Sequence, residues 1–171
     1  MKTEQMTTEQ IMPAPTRTNQ LLRDHALWAL NGDGAHLDFD AIIQDFPAKS
    51  RGLRPKGGSH SPWELREHLR ICQRDVIDWI NNPNYVSPDF PAGYWPTSPK
   101  PSSDKAWDES ANAFRSDLKT LVAMAESRDL LAPLPVGDGQ TILRKILMIA
   151  DHNAYHLGQL LLLKQVLQYE T

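Results

Sequence analysis

The chain has 171 residues, 40% of them hydrophobic and 23% charged, which suits one soluble globular domain with a core of its own. Eighteen basic against 21 acidic residues give a formal net charge of −3, so there is no basic surplus to hold nucleic acid. The apolar runs, Leu160 to Leu163 among them, are far too short to span a membrane. The single cysteine, Cys72, excludes an internal disulfide framework. With no secretory-type apolar stretch among the first residues, the expected location is the cytoplasm.

Residues 1–16 are polar and carry two prolines, and they read as a loose tail; 17–171 read as one domain. From Arg17, the spacing of Leu21, Leu22, His25, Trp28 and Ala29 is helical, and Asn31-Gly32-Asp33-Gly34 ends it. Leu37 to Phe46 reads as a short element closed by Pro47, and 50–58 as a basic, glycine-bearing loop. A second helix starts at Ser61-Pro62-Trp63-Glu64. Ser61 can cap, Pro62 suits the first helical position and Glu64 completes a capping box. It runs to about Ile80, where Asn81-Asn82-Pro83 stops it.

Pro83 to Pro101 holds six of the 13 prolines, interleaved with Tyr85, Phe90, Tyr94 and Trp95. Proline at that density forbids a helix, and the aromatics argue against disorder, so an ordered strap is expected. A third helix spans about 103–127. Its apolar positions are Ala106, Trp107, Ala113, Phe114, Leu118, Leu121, Val122 and Ala125. Ala132 to Pro135 is extended, Gly137-Asp138-Gly139 turns, and a last helix covers about 140–168. No stretch alternates as a strand would. The expected class is all-α, a four-helix bundle with long crossover connections.

The last helix carries Asp151-His152-Asn153-Ala154-Tyr155-His156-Leu157-Gly158-Gln159. Residues four apart on a helix share a face, with Cβ atoms about 6 Å apart. His152 and His156 fall on the stripe of Ile142, Ile146, Ile149, Leu160, Leu163 and Leu167, the face a bundle turns inward. Burying imidazole is costly unless its nitrogens find partners. Hydrogen bonds in the core would suffice, but a metal ion is the sharper candidate. His68, between Leu65 and Cys72 on the second helix, is the natural third ligand. Three neutral imidazoles from two helices suit a catalytic-type zinc shell with an open position, and nickel, iron or cobalt would also accept them.

Asp151, Asn153, Tyr155 and Gln159 neighbour the pair and could hydrogen-bond the ligands, Gln159 foremost. His25 is a candidate outer contact on the inward stripe of the first helix, and Trp95 a candidate pocket wall. Cys72 reads as packing rather than as a ligand. His36 and His60 read as solvated or structural. Trp28, Trp63, Trp79 and Trp107 read as core anchors, and Asp75 and Asp78 as part of a solvated face. His152 lacks the following Glu of H-E-x-x-H proteases, which disfavours that reaction class.

From Leu21 to Leu167 the chain resembles the DinB-like, or YfiT-like, metalloenzymes. The resemblance rests on Ser61 to Leu69 and Asp151 to Gln159, supported by Tyr94-Trp95-Pro96 and Gly139-Gln140-Thr141. It implies a four-helix bundle in which His68, His152 and His156 bind a divalent metal, zinc or nickel, and it implies a homodimer. Related activities are thiol-dependent S-transfer and isomerisation with low-molecular-weight thiols, and metal-dependent hydrolysis. Two functions follow as expectations. One is an enzyme whose metal activates a thiol cofactor or water against a small electrophile, with Arg51, Arg54 and Lys56 offering charge to the thiol. The other is a non-catalytic metal- or small-ligand-binding protein of a stress response.

Overall fold

The computed structural model describes residues 17–32 and 35–169; the expected tail, 1–16, lies outside them. Among the described residues there are five helices: α1 (Arg17–Asn31), α2 (Phe39–Ile43), α3 (Pro62–Asn81), α4 (Asp104–Ser127) and α5 (Ile142–Tyr169). No strand accompanies them; Pro133 and Thr141 form an isolated antiparallel bridge just before α5. The all-helical expectation therefore holds. The element at 37–46 proves to be the five-residue α2, which buries Phe39, Ile42 and Ile43. The proline-rich strap contains one 3-10 turn, Ala92–Tyr94.

Helix α3 is the central element, packing most extensively on α4 and α5. Its N-terminus is fixed by a complete capping box: Ser61 Oγ accepts from the Glu64 N–H, and the Glu64 carboxylate accepts from the Ser61 N–H at 2.8 Å. Arg54 pairs with the same carboxylate, and Ser61 Oγ donates to the carbonyl of Pro99, tying the helix start to the strap. Helix α4 begins with a simpler cap from Ser103.

The core falls into two groups of apolar side chains. One joins α1, α3, α4 and α5 around Ala26, Val76, Leu121 and Ile146. The other joins α2 to α3, α4 and α5 around Ile42, Leu69, Phe114 and Leu160. In register, the chain passes from one group to the other at 69–76 on α3 and at 150–157 on α5. His152 and His156 stand within that seam, and His68 stands at its edge, next to Leu69. Trp63 and Trp107 are buried as expected, and they enclose the guanidinium of fully buried Arg66, which lies 3.5 Å from the Trp107 ring centre. Trp28 is not a core anchor: it is 53% exposed, because Ala26 and Leu30 take the inward face of α1.

The buried cap predicts a measurable asymmetry. Ser61→Ala should lower the unfolding free energy by about 1–2 kcal/mol, and Ser103→Ala, at an exposed cap, by about 0.5–1 kcal/mol. Urea unfolding of the two variants checks this; equal losses would deny the buried cap its extra role.

Candidate metal centre

Helix α3 contributes His68 and helix α5 contributes His152 and His156. The three rings form a nearly equilateral triangle, with centroids 4.9 Å (His68–His152), 4.7 Å (His68–His156) and 4.6 Å (His152–His156) apart. The Nε2 atoms of His68 and His152 are 3.1 Å apart. Two nitrogens bound at about 2.1 Å to one ion stand about 3.0–3.4 Å apart for octahedral to tetrahedral angles, so this spacing fits a shared ion.

Proton placement decides whether it is also the chemistry of a shared ion. His68 Nδ1 lies 2.8 Å from the carbonyl of Tyr94, which can only accept. Nδ1 therefore carries the proton, and the neutral ring presents a bare lone pair at Nε2. His156 repeats the pattern, with Nδ1 2.8 Å from Gln159 Oε1. His152 is set through a buried amide chain. Gln73 Nε2 donates to the Phe114 carbonyl at 2.8 Å, so Gln73 turns Oε1 to Asn153, whose Nδ2 donates to it at 3.0 Å.

That leaves Asn153 with its Oδ1 unused, and its side chain favours the protonated form of His152. His152 Nδ1 and Asn153 Oδ1 are both buried without a full hydrogen bond, and a proton on Nδ1 suits the pair. His68 and His156 thus each have an acceptor for Nδ1–H, the arrangement that metal-binding histidines require, while His152 Nδ1 is buried without a hydrogen-bond partner. With the proton of His152 on Nδ1, two lone pairs face each other at 3.1 Å and repel unless a cation lies between them; with it on Nε2, the same contact is a hydrogen bond to His68. The residues fit a metal ion.

All three rings are held neutral. Burial lowers the pKa of each; His152, also pressed by the charges of His156 and His68 when these protonate, falls to about 4. Neutral imidazole is the ligating form.

The strap supplies more than a wall. Trp95 stacks on His68, centroids 4.0 Å apart and planes within 3°. On its other side Trp95 stacks on His60 at 3.9 Å. His60, Trp95 and His68 thus form a three-ring pile from loop, strap and helix. His60, read from sequence as solvated or structural, is a half-buried buttress of this pile. Tyr94, next to Trp95, binds His68 with its carbonyl and Asp75 Oδ2 with its hydroxyl at 3.0 Å.

Cys72 lies closer to the centre than sequence suggested. With His68 and His152 it forms a cluster whose candidate ligand atoms all lie within 4.8 Å of one another. Its Sγ is 3.6 Å from Nδ1 and 3.7 Å from Nε2 of His68. A position equidistant from both nitrogens lies over the ring, not beyond Nε2 in the ring plane. Burial, assisted by Asp75, pushes the thiol up to about 12, so it is protonated at neutral pH.

Other expectations are corrected by packing. His25 is exposed on α1 and stands outside the cluster, since the inward face of that helix belongs to Ala26 and Leu30. Tyr155 touches the edge of His156 at 4.8 Å but is 65% exposed, because it sits on the outer side of α5. Asp75 is not on a solvated face; it lines the same cavity as the histidines, as does Trp79. Arg51 and Arg54 are paired with Asp104 and Glu64, and neither they nor Lys56 reach that cavity.

The cavity beside the three histidines has a volume of about 530 Å³ and is mainly apolar, running from Cys72 and Asp75 to Trp79, Phe90 and Met148. A larger depression of about 850 Å³ between α2 and α4 is lined by surface charges such as Asp40 and Arg115, which pair with each other, and holds no histidine. Of the two, the smaller cavity is the one lined by His68, His152 and His156.

No curated protein matches the chain. Residues 33–160, about three quarters of its length, match the sequence profile of the DinB superfamily. That match spans the capped α3, the strap and the part of α5 that carries His152 and His156, and the chain belongs to the DinB superfamily.

Proposed function

We propose that the protein is a metal-dependent enzyme in which His68, His152 and His156 hold one divalent ion, zinc or nickel, beside a substrate cavity. The observation that carries this reading is the convergence of three imidazole rings with centroids 4.6–4.9 Å apart, two of them with Nδ1 against an acceptor. When bound, the ion supplies Lewis acidity that favours the deprotonated form of a thiol or of water. The Tyr94 carbonyl and Gln159 Oε1 hold the Nδ1 protons of His68 and His156, and the Asn153 side chain favours the protonated form of His152. Trp95 covers one face of His68 and keeps water from it. The cavity then offers an apolar bed for a small electrophile attacked by a thiol cofactor or by water.

Cys72 favours a second reading, a closed and non-catalytic metal-binding site, since its sulfur belongs to the same cluster. Structural zinc sites fill all four positions with protein ligands, whereas catalytic ones keep one open. The placement of Sγ over the His68 ring supports the open site. Cobalt(II) substitution separates the two. An open site gives no sulfur-to-cobalt charge-transfer band, whereas a closed one gives a band that Cys72→Ser removes.

Protein purified without an affinity tag should carry one equivalent of metal. Chelator should lower its Tm and leave that of a His152→Ala/His156→Ala variant unchanged. Thiol conjugation to electrophiles, or ester or amide hydrolysis, should vanish with chelation and in His156→Ala. Activity surviving both would refute the proposal.

The residues facing the ligands should matter almost as much as the ligands. Gln159→Leu and Asn153→Ala should each weaken zinc binding about 10- to 100-fold by competition titration, with Gln159→Glu recovering much of the loss. Affinities equal to wild type would leave proton placement without a role.

Acid should destabilise the metal-free protein. The folded pKa of His152, about 4, lies below its ordinary 6.5. Stability from the neutral ring is present above 6.5 and is lost as pH falls toward 4, because the unfolded chain takes up a proton the folded site refuses. Urea midpoints across that window should fall, and His152→Leu should flatten the decline.

A further inference from the structure

The cavity beside the histidines contains one cationic side chain, Lys145, and that cation has no role in holding the site. Its ammonium lies 3.7 Å from the ring centre of Trp79, which fixes it at the cavity wall. Among the described residues it enters no ion pair. The one carboxylate in the lining, Asp75, is turned to the strap. Its Oδ2 accepts from Tyr94, and its Oδ1 is buried without a hydrogen-bond partner. Burial lowers the pKa of Lys145 against the pull of Asp75, and the charge of Arg144 adds to the lowering.

Lys145 precedes His152 by seven residues on α5, two helical turns, or about 10 Å along the axis. Between them the cavity is apolar. Val76 and Ile149 form its floor, while Met148, 47% exposed, and Phe90, 88% exposed, leave apolar surface uncovered at its rim. A cation at one end, a metal-type histidine cluster at the other and an apolar bed between them describe an occupant.

We propose that Lys145 is the anion-recognition residue of this cavity and that the substrate is a small, mainly apolar molecule bearing a carboxylate or similar anionic group at the end remote from its reacting atom. The anion pairs with the ammonium over Trp79, the apolar body covers Met148 and Phe90, and the far end reaches the histidines. The reacting end rests on the metal-dependent reading above; the anion site stands on the cavity alone.

Matched probes test it. 4-Phenylbutyrate and its neutral amide differ in charge and share a body of fitting length. Calorimetric titration into wild-type, Lys145→Met and Lys145→Arg protein, metal-free and zinc-loaded, reads their relative affinities. Wild type should bind the carboxylate about tenfold or more tightly than the amide in both metal states. Lys145→Met should lose that preference while keeping its Tm, and Lys145→Arg should keep most of it. A preference unchanged in Lys145→Met, absence of carboxylate binding to wild type, or a preference that needs zinc and disappears in His152→Ala/His156→Ala would overturn the assignment. Retained preference in protein that binds no zinc would support the anion site while counting against the metal-centred reading.

Discussion

Where the protons sit on three imidazoles governs the rest of the site. A neutral histidine has one N–H and one lone pair, and the group facing the N–H settles which nitrogen is which. Here a backbone carbonyl takes that position for His68 and a glutamine oxygen for His156, and with the proton of His152 also on Nδ1 two lone pairs meet where the Nε2 atoms of His68 and His152 lie 3.1 Å apart. Such an arrangement is repulsive when empty of charge and strongly attractive to a cation. Burial adds to the effect by keeping the rings from protonating and so from neutralising the repulsion in another way.

Much of the surrounding architecture serves to hold those acceptors still. The Gln73–Asn153 amide chain links α3, α4 and α5 through the Phe114 carbonyl, so packing of the three helices is coupled to the orientation of one asparagine oxygen. The strap brings the Tyr94 carbonyl and the Trp95 ring to His68, with His60 backing the stack. The strap is itself moored where Ser61 Oγ meets the Pro99 carbonyl, at the capping box of α3. Helix start, strap and ligand geometry are therefore one mechanical unit, and the cavity lies on its open side.

The helices were legible because their signals are local. The Ser61-Pro62-Trp63-Glu64 cap, the Asn81-Asn82-Pro83 stop and the 3.6-residue apolar spacing depend on neighbours in sequence, and each appears where expected. His152 and His156 were legible as a pair for the same reason, and Gln159 as a neighbour one turn on. What was not legible depends on contacts across the fold. Nothing local distinguishes His25, which faces solvent, from His68, which does not, since both occupy apolar-looking stripes and the rotation of each helix is set by its partners. His60 and Asp75 carry no spacing signal; their roles arise from a strap folded back over α3. Lys145 was hidden among ordinary surface lysines, and only the placement of Trp79 beneath it marks it out.

The most direct test of this account is the tautomeric state of the three rings in metal-free protein, read by long-range ¹H–¹⁵N NMR on ¹⁵N-histidine-labelled samples near neutral pH. The account predicts that His68, His152 and His156 are all neutral with the proton on Nδ1, and that one equivalent of zinc shifts their Nε2 resonances together. A proton on Nε2 of His152, donated to Nε2 of His68, with no response to zinc, would contradict it.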